Sequence, residues 1–217
     1  MSRQFTIKIC GVTTPADALM AARAGATAIG VNLWPGSKRF VGGAAADVVA
    51  AIPAGVLKVG VFVNAAPDDV ARAISTLGLD RAQLHGDERA EDFAAFDRAR
   101  LIRAVRVRDA ASFPAPGGAD GWGAVVRLFD AFVDGFGGGG QTAPWELIVA
   151  RGARPFWLAG GLTPDNVAAA IAATSPDGVD VASGVEAAPG RKDPARVAAF
   201  VTAARAAAAT VGYSPGP

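Results

Sequence analysis

Residues 5–15 read Phe5-Thr6-Ile7-Lys8-Ile9-Cys10-Gly11-Val12-Thr13-Thr14-Pro15. Thr6–Cys10 has the apolar, β-branched character of a short buried strand, and Gly11 ends it. Thr14 and Pro15 then supply an N-cap and a first helical residue, with Asp17 three positions after the cap. Strand, short loop and helix start in so few residues open a β/α unit. In alternating β/α proteins the loops leaving the strand ends carry the chemistry. Cys10, the only cysteine of the chain, stands where this strand stops. A buried, inert thiol is the ordinary reading of a lone cysteine, so Cys10 needs partners elsewhere to count as more. With no second cysteine, a disulfide within the chain is impossible.

The same alternation continues outward from this unit. Apolar runs at Thr6–Cys10, Ala28–Leu33, Lys58–Val63, Arg81–Leu84, Leu101–Val105, Ala124–Asp130, Phe156–Ala159 and Gly178–Ala182 read as parallel strands buried on both faces. Pro67 with Asp68 and Asp69 starts a helix between them, as carboxylates favour the positive helix end. Thr163, Pro164 and Asn166 repeat the Thr14-Pro15 arrangement, and Asp193-Pro194 opens a last helix running to about residue 208. Eight strands in 217 residues give about 27 residues per unit, tight but workable for a (β/α)8 TIM barrel. A doubly wound open sheet is the rival, but no Gly-x-Gly-x-x-Gly turn follows the first strand. The expected architecture is one α/β domain over residues 1–209, with 210–217 a frayed tail. The Gly/Pro-rich stretch Phe113–Gly123 is expected to replace or shorten the fifth helix.

Composition narrows the partners. The chain is 51% hydrophobic, enough for a large core, and its 21 basic and 20 acidic residues leave a formal charge of +1. No basic block offers itself to a phosphate backbone, so nucleic acid is not an expected partner. No apolar run reaches the roughly 18 residues that span a bilayer. Met1-Ser2-Arg3-Gln4 begins no signal-peptide core, and the expected location is the cytoplasm. One Cys and one His make no zinc site, and neither metal nor cofactor is expected.

Chemistry-bearing residues gather at the strand ends. After the sixth strand, Phe136 is followed by Gly137-Gly138-Gly139-Gly140, a run whose backbone N–H groups can converge on an anion. Ala159-Gly160-Gly161-Leu162 follows the seventh strand and Ser183-Gly184 the eighth, where barrels often hold phosphate. For any single loop, glycine as a plain turn residue is the better reading; three such loops at one end favour a phosphate site. Asp130 closes an apolar strand, where a carboxyl can serve as a general acid or merely cap a loop. Arg39, in Ser37-Lys38-Arg39-Phe40, could clamp a carboxylate and Trp34 could cover an aromatic ring. His85, in Gln83-Leu84-His85-Gly86, ends the fourth strand and could orient substrate or serve structure alone.

Taken in order, Lys8-Ile9-Cys10-Gly11, Ser37-Lys38-Arg39, Val59–Asn64, Gln83–Gly86, Asp130 with its glycine loop, Gly160-Gly161-Leu162 with Pro164 and Asn166, and Asp180–Glu186 with Gly190, Lys192 and Asp193 resemble one family. That family is phosphoribosylanthranilate isomerase of L-tryptophan biosynthesis. The resemblance spans residue 7 to about 200. It implies the Amadori rearrangement of N-(5-phosphoribosyl)anthranilate to 1-(2-carboxyphenylamino)-1-deoxyribulose 5-phosphate by general acid–base catalysis. It assigns Asp130 as general acid, Cys10 as general base, and Arg39 to the anthranilate carboxylate. It gives substrate contacts to His85, Gly138, Gly140, Gly161, Ser183 and Gly184. The protein would be a monomer or homodimer. A free thiol ionises near pH 8.5, so the site is expected to lower Cys10, through Lys8 or the nearby helix start. Two departures stand out: Ala143-Pro144-Trp145 replaces a Phe-Asp-Trp-like motif, and Asn32 lies in a strand end where the family often carries Phe. A related histidine-pathway isomerase would need an aspartate where Cys10 stands, and a non-catalytic phosphate binder on the same fold is the third reading.

Overall fold

Eight short parallel strands form a closed barrel in sequence order, as the computed structural model of residues 4–113, 120–131, 145–151 and 155–213 describes. They are β1 (Thr6–Cys10), β2 (Ala28–Asn32), β3 (Leu57–Phe62), β4 (Arg81–Leu84), β5 (Leu101–Val107), β6 (Val126–Ala131), β7 (Phe156–Leu158) and β8 (Gly178–Val181). All eight expected strands are present, with ends displaced by no more than two residues. Around them lie α1 (Pro15–Arg23), α2 (Ala45–Ala50), α3 (Pro67–Leu77), α4 (Trp145–Arg151), α5 (Val167–Thr174) and α6 (Pro194–Thr210). No helix among the described residues is long and apolar enough to cross a membrane.

Two helix starts follow directly from their caps. Thr14 Oγ1 accepts from Asp17 N, and the Asp193 carboxylate accepts from Ala195 N and Arg196 N. A third start differs from expectation. α5 begins at Val167, not near Pro164, because the Asn166 carboxamide turns back into the preceding loop instead of leaving Thr163 to cap. Its Oδ1 accepts from Thr163 N at 2.8 Å, and its Nδ2 donates to Gly161 O at 2.9 Å. Between β5 and β6 the described residues hold only a single 3-10 turn, Ala110–Ser112, and no α-helix. The tail also departs from expectation as far as Tyr213. That ring is buried edge-on against Phe5, centroids 5.2 Å apart, and its hydroxyl donates to Asp177 Oδ1. It thereby ties the end of α6 to the barrel's N-terminal end.

Strand alternation decides what fills the lumen. Ile7 and Ile9 of β1, Ala82 and Leu84 of β4, and Val179 and Val181 of β8 join the large cluster under the helices. The opposite phase points inward. Ala28, Val59, Ile102, Ala104, Leu128 and Trp157 form a small separate cluster that plugs the interior. The same inward phase also carries Lys8, Cys10, Gln83, His85, Asp130 and Asp180, all of them buried. The barrel closes where β1 pairs with β8 in the register Lys8↔Asp180. Across that seam Lys8 Nζ donates to Asp180 Oδ1 at 2.8 Å, and Lys8 is 0% exposed.

Such a pair is destabilising to break and nearly neutral to replace whole. Asp180→Ala should lower the free energy of urea unfolding by about 3–5 kcal/mol. Combining Lys8→Met with Asp180→Leu should return most of that loss.

Candidate functional site

Cys10 stands at the inward-facing end of β1, in register with Gly30 of β2. A Cβ on Gly30 would lie 2.8 Å from Cys10 Sγ and 3.0 Å from Lys8 Nζ, so only glycine leaves room for thiol and ammonium side by side. Burial opposes the charge of Lys8, but Asp180 and then Cys10 outweigh it and leave the ammonium above its ordinary value. The thiol moves against the sequence expectation. Burial first, then the Asp180 carboxylate, push Cys10 up, and Lys8 and Lys192 only partly oppose them. The resting group is therefore a protonated thiol. The expectation failed because sequence places Lys8 two residues from Cys10 but shows neither the burial of the thiol nor the Asp180 carboxylate that pairs with Lys8.

Three strands round the wall, Asp130 stands near the end of β6, also facing inward. His85 follows β4, and its Nε2 lies 3.3 Å from Asp130 Oδ2, off the alignment of a hydrogen bond. The ring's other nitrogen, Nδ1, lies 2.8 Å from Gln83 Nε2. The His85 backbone is held as well, its N–H donating to Phe62 O at 2.9 Å. The loop beyond is clamped by Glu88, which accepts from Asn64 N, Gly86 N and the Arg103 guanidinium.

Arg39 is already engaged. Its Nε and Nη2 donate to the two oxygens of Glu186, at 2.8 and 2.7 Å. Glu186 opens a small hairpin made of β9 (Glu186–Ala188) and β10 (Arg191–Lys192). Lys192, buried in that hairpin, donates to the same carboxylate at 2.9 Å and to Ala182 O. Burial would raise Glu186, but Arg39 and Lys192 hold it below the ordinary carboxylate value. Burial likewise pulls Lys192 down, opposed by Glu186. Thr13 Oγ1 donates to Gly190 O at 2.6 Å, tying the hairpin to the loop that follows Cys10. Asn32 explains itself locally: its Oδ1 accepts from Trp34 N at 3.0 Å, so the side chain shapes the turn after β2.

The loops after β7 and β8 pack directly on each other. A Cβ on Gly184 would meet Leu162 O at 1.9 Å, so this contact requires glycine. Ser183 begins the 3-10 turn Ser183–Val185, and Gly161 is fixed through its carbonyl by Asn166. Gly138, Gly140, Ala143 and Pro144 lie outside the described residues. The structure thus brings together two clusters the sequence reading held only in part: Cys10 with Lys8 and Asp180, and Asp130 with His85 and Gln83. The sequence gives Asp180 and Gln83 no role of their own, and Lys8 only that of lowering Cys10. Their signal was present, a charged or amide residue at the inward phase of an otherwise apolar strand.

The comparisons with known proteins agree with one another. The family model described as N-(5'-phosphoribosyl)anthranilate isomerase matches residues 7–203. The N-(5'-phosphoribosyl)anthranilate isomerase of Rubrobacter xylanophilus is 45% identical over 210 residues, covering 92% of this chain and 98% of the relative. The crystal structure of phosphoribosyl anthranilate isomerase from Thermotoga maritima superposes with a TM-score of 0.84 at 36% identity, covering 94% of this chain and all of that one. A second solved isomerase, in complex with reduced 1-(o-carboxyphenylamino)-1-deoxyribulose 5-phosphate, gives 0.81 at 34% identity, covering 94% of this chain and 100% of its own. A family match across nearly the whole barrel, on a fold whose inward strand ends carry Cys10 and Asp130, leaves one conclusion: this chain belongs to the N-(5'-phosphoribosyl)anthranilate isomerase family.

Proposed function

We propose that this barrel catalyses the family's Amadori rearrangement, converting N-(5-phosphoribosyl)anthranilate to 1-(2-carboxyphenylamino)-1-deoxyribulose 5-phosphate in tryptophan biosynthesis, with Asp130 as acid and Cys10 as base. The observation that carries the assignment is that both side chains end inward-facing strand positions, each beside buried polar partners of its own. Asp130 gives a proton to the furanose ring oxygen, the C1′–O bond breaks, and the anilino nitrogen's lone pair forms a cationic iminium. Cys10 removes the proton from C2′, and the electron pair of that C–H bond neutralises the iminium as an enolamine. Tautomerisation to the ketone completes the isomerisation. Atoms and electrons balance within one molecule, so no oxidant or reductant enters.

The electrostatics of the resting site support that order. Cys10 is a thiol while its surroundings are neutralised by the Lys8–Asp180 pair. A cationic iminium arriving beside it favours the thiolate, as any nearby opposite charge does, so the thiol first releases its own proton to solvent and then takes the C2′ proton as a thiolate. Ring opening at Asp130 therefore prepares the base for the next step. Substrate anions find cationic and backbone donors at the same rim. Arg39 keeps guanidinium donors beyond the two given to Glu186, and the packed Gly161 and Ser183-Gly184 loops suit the ribose phosphate. A non-catalytic binder on this fold would need neither the buried thiol nor the facing acid.

Cys10→Ser and Asp130→Asn should each lower turnover by about 10²–10⁴-fold. Both should keep the wild-type circular dichroism and melting profile. Fluorescence decay of freshly generated phosphoribosylanthranilate measures the rate, and near-wild-type turnover in either variant would remove that residue's role. A second measurement addresses the thiol. Because its folded value is raised, the thiolate fraction at any pH is smaller than in a free cysteine. The thiolate absorbance, taken as a difference against Cys10→Ser, should reach its midpoint above the ordinary value of about 8.5. A midpoint below it would mean that Lys8 outweighs burial.

A further inference from the structure

Gln83 belongs to neither half of the proposed reaction, yet it is 1% exposed and occupies an inward-facing place on β4 two residues before His85. Its carboxamide Nε2 meets His85 Nδ1 at 2.8 Å, whereas its Oε1 has no hydrogen-bond partner among the described residues. Leaving a buried amide oxygen unsatisfied costs about 1–3 kcal/mol. Every apolar residue of similar size would avoid that cost while filling the same space. The retained interaction is the one to the imidazole.

We propose that Gln83 is a positioning residue for the acid half of the site: by donating to His85 Nδ1 it places the ring's single proton on Nε2, facing Asp130. The argument is one of inventory. A neutral imidazole has one N–H and one bare nitrogen. If Nδ1 accepts from the Gln83 amide, the proton must sit on Nε2. That nitrogen lies 3.3 Å from Asp130 Oδ2. Catalytic hydrogen bonds are often long in ligand-free structures and tighten when the site fills. As Asp130 gives up its proton to the sugar ring oxygen, negative charge develops on its carboxylate. An N–H on Nε2, turned onto Oδ2 as the site fills, stabilises that charge as it appears and not before. With the His85 backbone fixed by its bond to Phe62 O, ring orientation and proton position are left to Gln83. The reverse carboxamide orientation would present Oε1 to Nδ1, move the proton there, and leave Asp130 facing a lone pair.

This inference rests on the isomerase reading for its effect on rate, but the proton's position can be measured without turnover. His85 is the only histidine in the chain, so ¹⁵N NMR of the imidazole yields one pair of ring nitrogens, and their couplings to the two carbon-bound ring protons tell Nδ1 from Nε2. At a pH where the ring is neutral, wild type should show a protonated Nε2 and a bare Nδ1. A protonated Nδ1 would overturn the proposal outright. Gln83→Glu, which can only accept from Nδ1, should shift the proton to Nδ1; Gln83→Met should release the preference. Both should lower kcat by at least about tenfold with KM little changed. A fixed Nε2 proton in Gln83→Met, or a kcat equal to wild type in both variants, would overturn it as well. If neither variant folds, the wild-type spectrum still decides. Loss of the isomerase reading itself would appear differently, as absent turnover in wild type with the tautomer in place.

Discussion

One buried contact joins the first strand of the barrel to the last, the Lys8–Asp180 pair across the β1–β8 seam. A lysine ammonium with no exposure to water is tolerated only with an opposite charge in bonding contact. The pair joins the first and last strands, so it can form only once the chain has closed on itself. It also sets the environment of Cys10, because the ammonium beside the thiol is already neutralised. Closure of the fold thus also brings up the Asp180 carboxylate that, after burial, raises the thiol.

The two halves of the site are built on different principles. On the β1–β8 side, charges are present in the resting state and cancel: ammonium, carboxylate and an un-ionised thiol. On the β4–β6 side the contacts are an amide, an imidazole and a carboxyl, whose arrangement concerns where single protons sit. In the proposed reaction the first side would meet a cation, and the second would supply the proton that creates it. Barrel geometry keeps them apart, with β7 and β8 between β6 and β1.

The fold was legible because eight apolar runs and the Pro-initiated helices are local signals, each interpretable within about ten residues. Cys10 and Asp130 were legible because they end strands, and Arg39 because it follows one. What the sequence could not convey was pairing. Lys8 and Asp180 are 172 positions apart, and Arg39 and Glu186 147 apart. No periodicity links them, and both contacts change the chemistry: one raises the thiol, the other occupies the expected carboxylate clamp. Asn166 shows the same limit at short range. Thr163-Pro164 promised a helix start, but a side chain three residues on found better partners in Thr163 N and Gly161 O. Strand phase was the neglected signal. Applied to β1, β4, β6 and β8, alternation alone puts Lys8, Gln83, Asp130 and Asp180 inside.

The Arg39–Glu186–Lys192 cluster leaves room for the proposed role of Arg39 although its guanidinium is already bonded. Glu186 carries one negative charge and is bonded to two cations, so the group retains a net charge of +1 at the rim of the barrel. Glu186 does not cancel Arg39; Lys192 shares the carboxylate. What Glu186 fixes is direction, since bonds to Nε and Nη2 lock the guanidinium plane and leave its other edge to receive a second carboxylate. A free arginine would have to surrender side-chain entropy when it bound the substrate. Here the guanidinium is already ordered, and the hairpin Glu186–Lys192, anchored through Gly190 to Thr13, carries that order. Arg39 is thereby mechanically joined to the loop that follows Cys10, so the proposed carboxylate clamp and the proposed base share one rigid support.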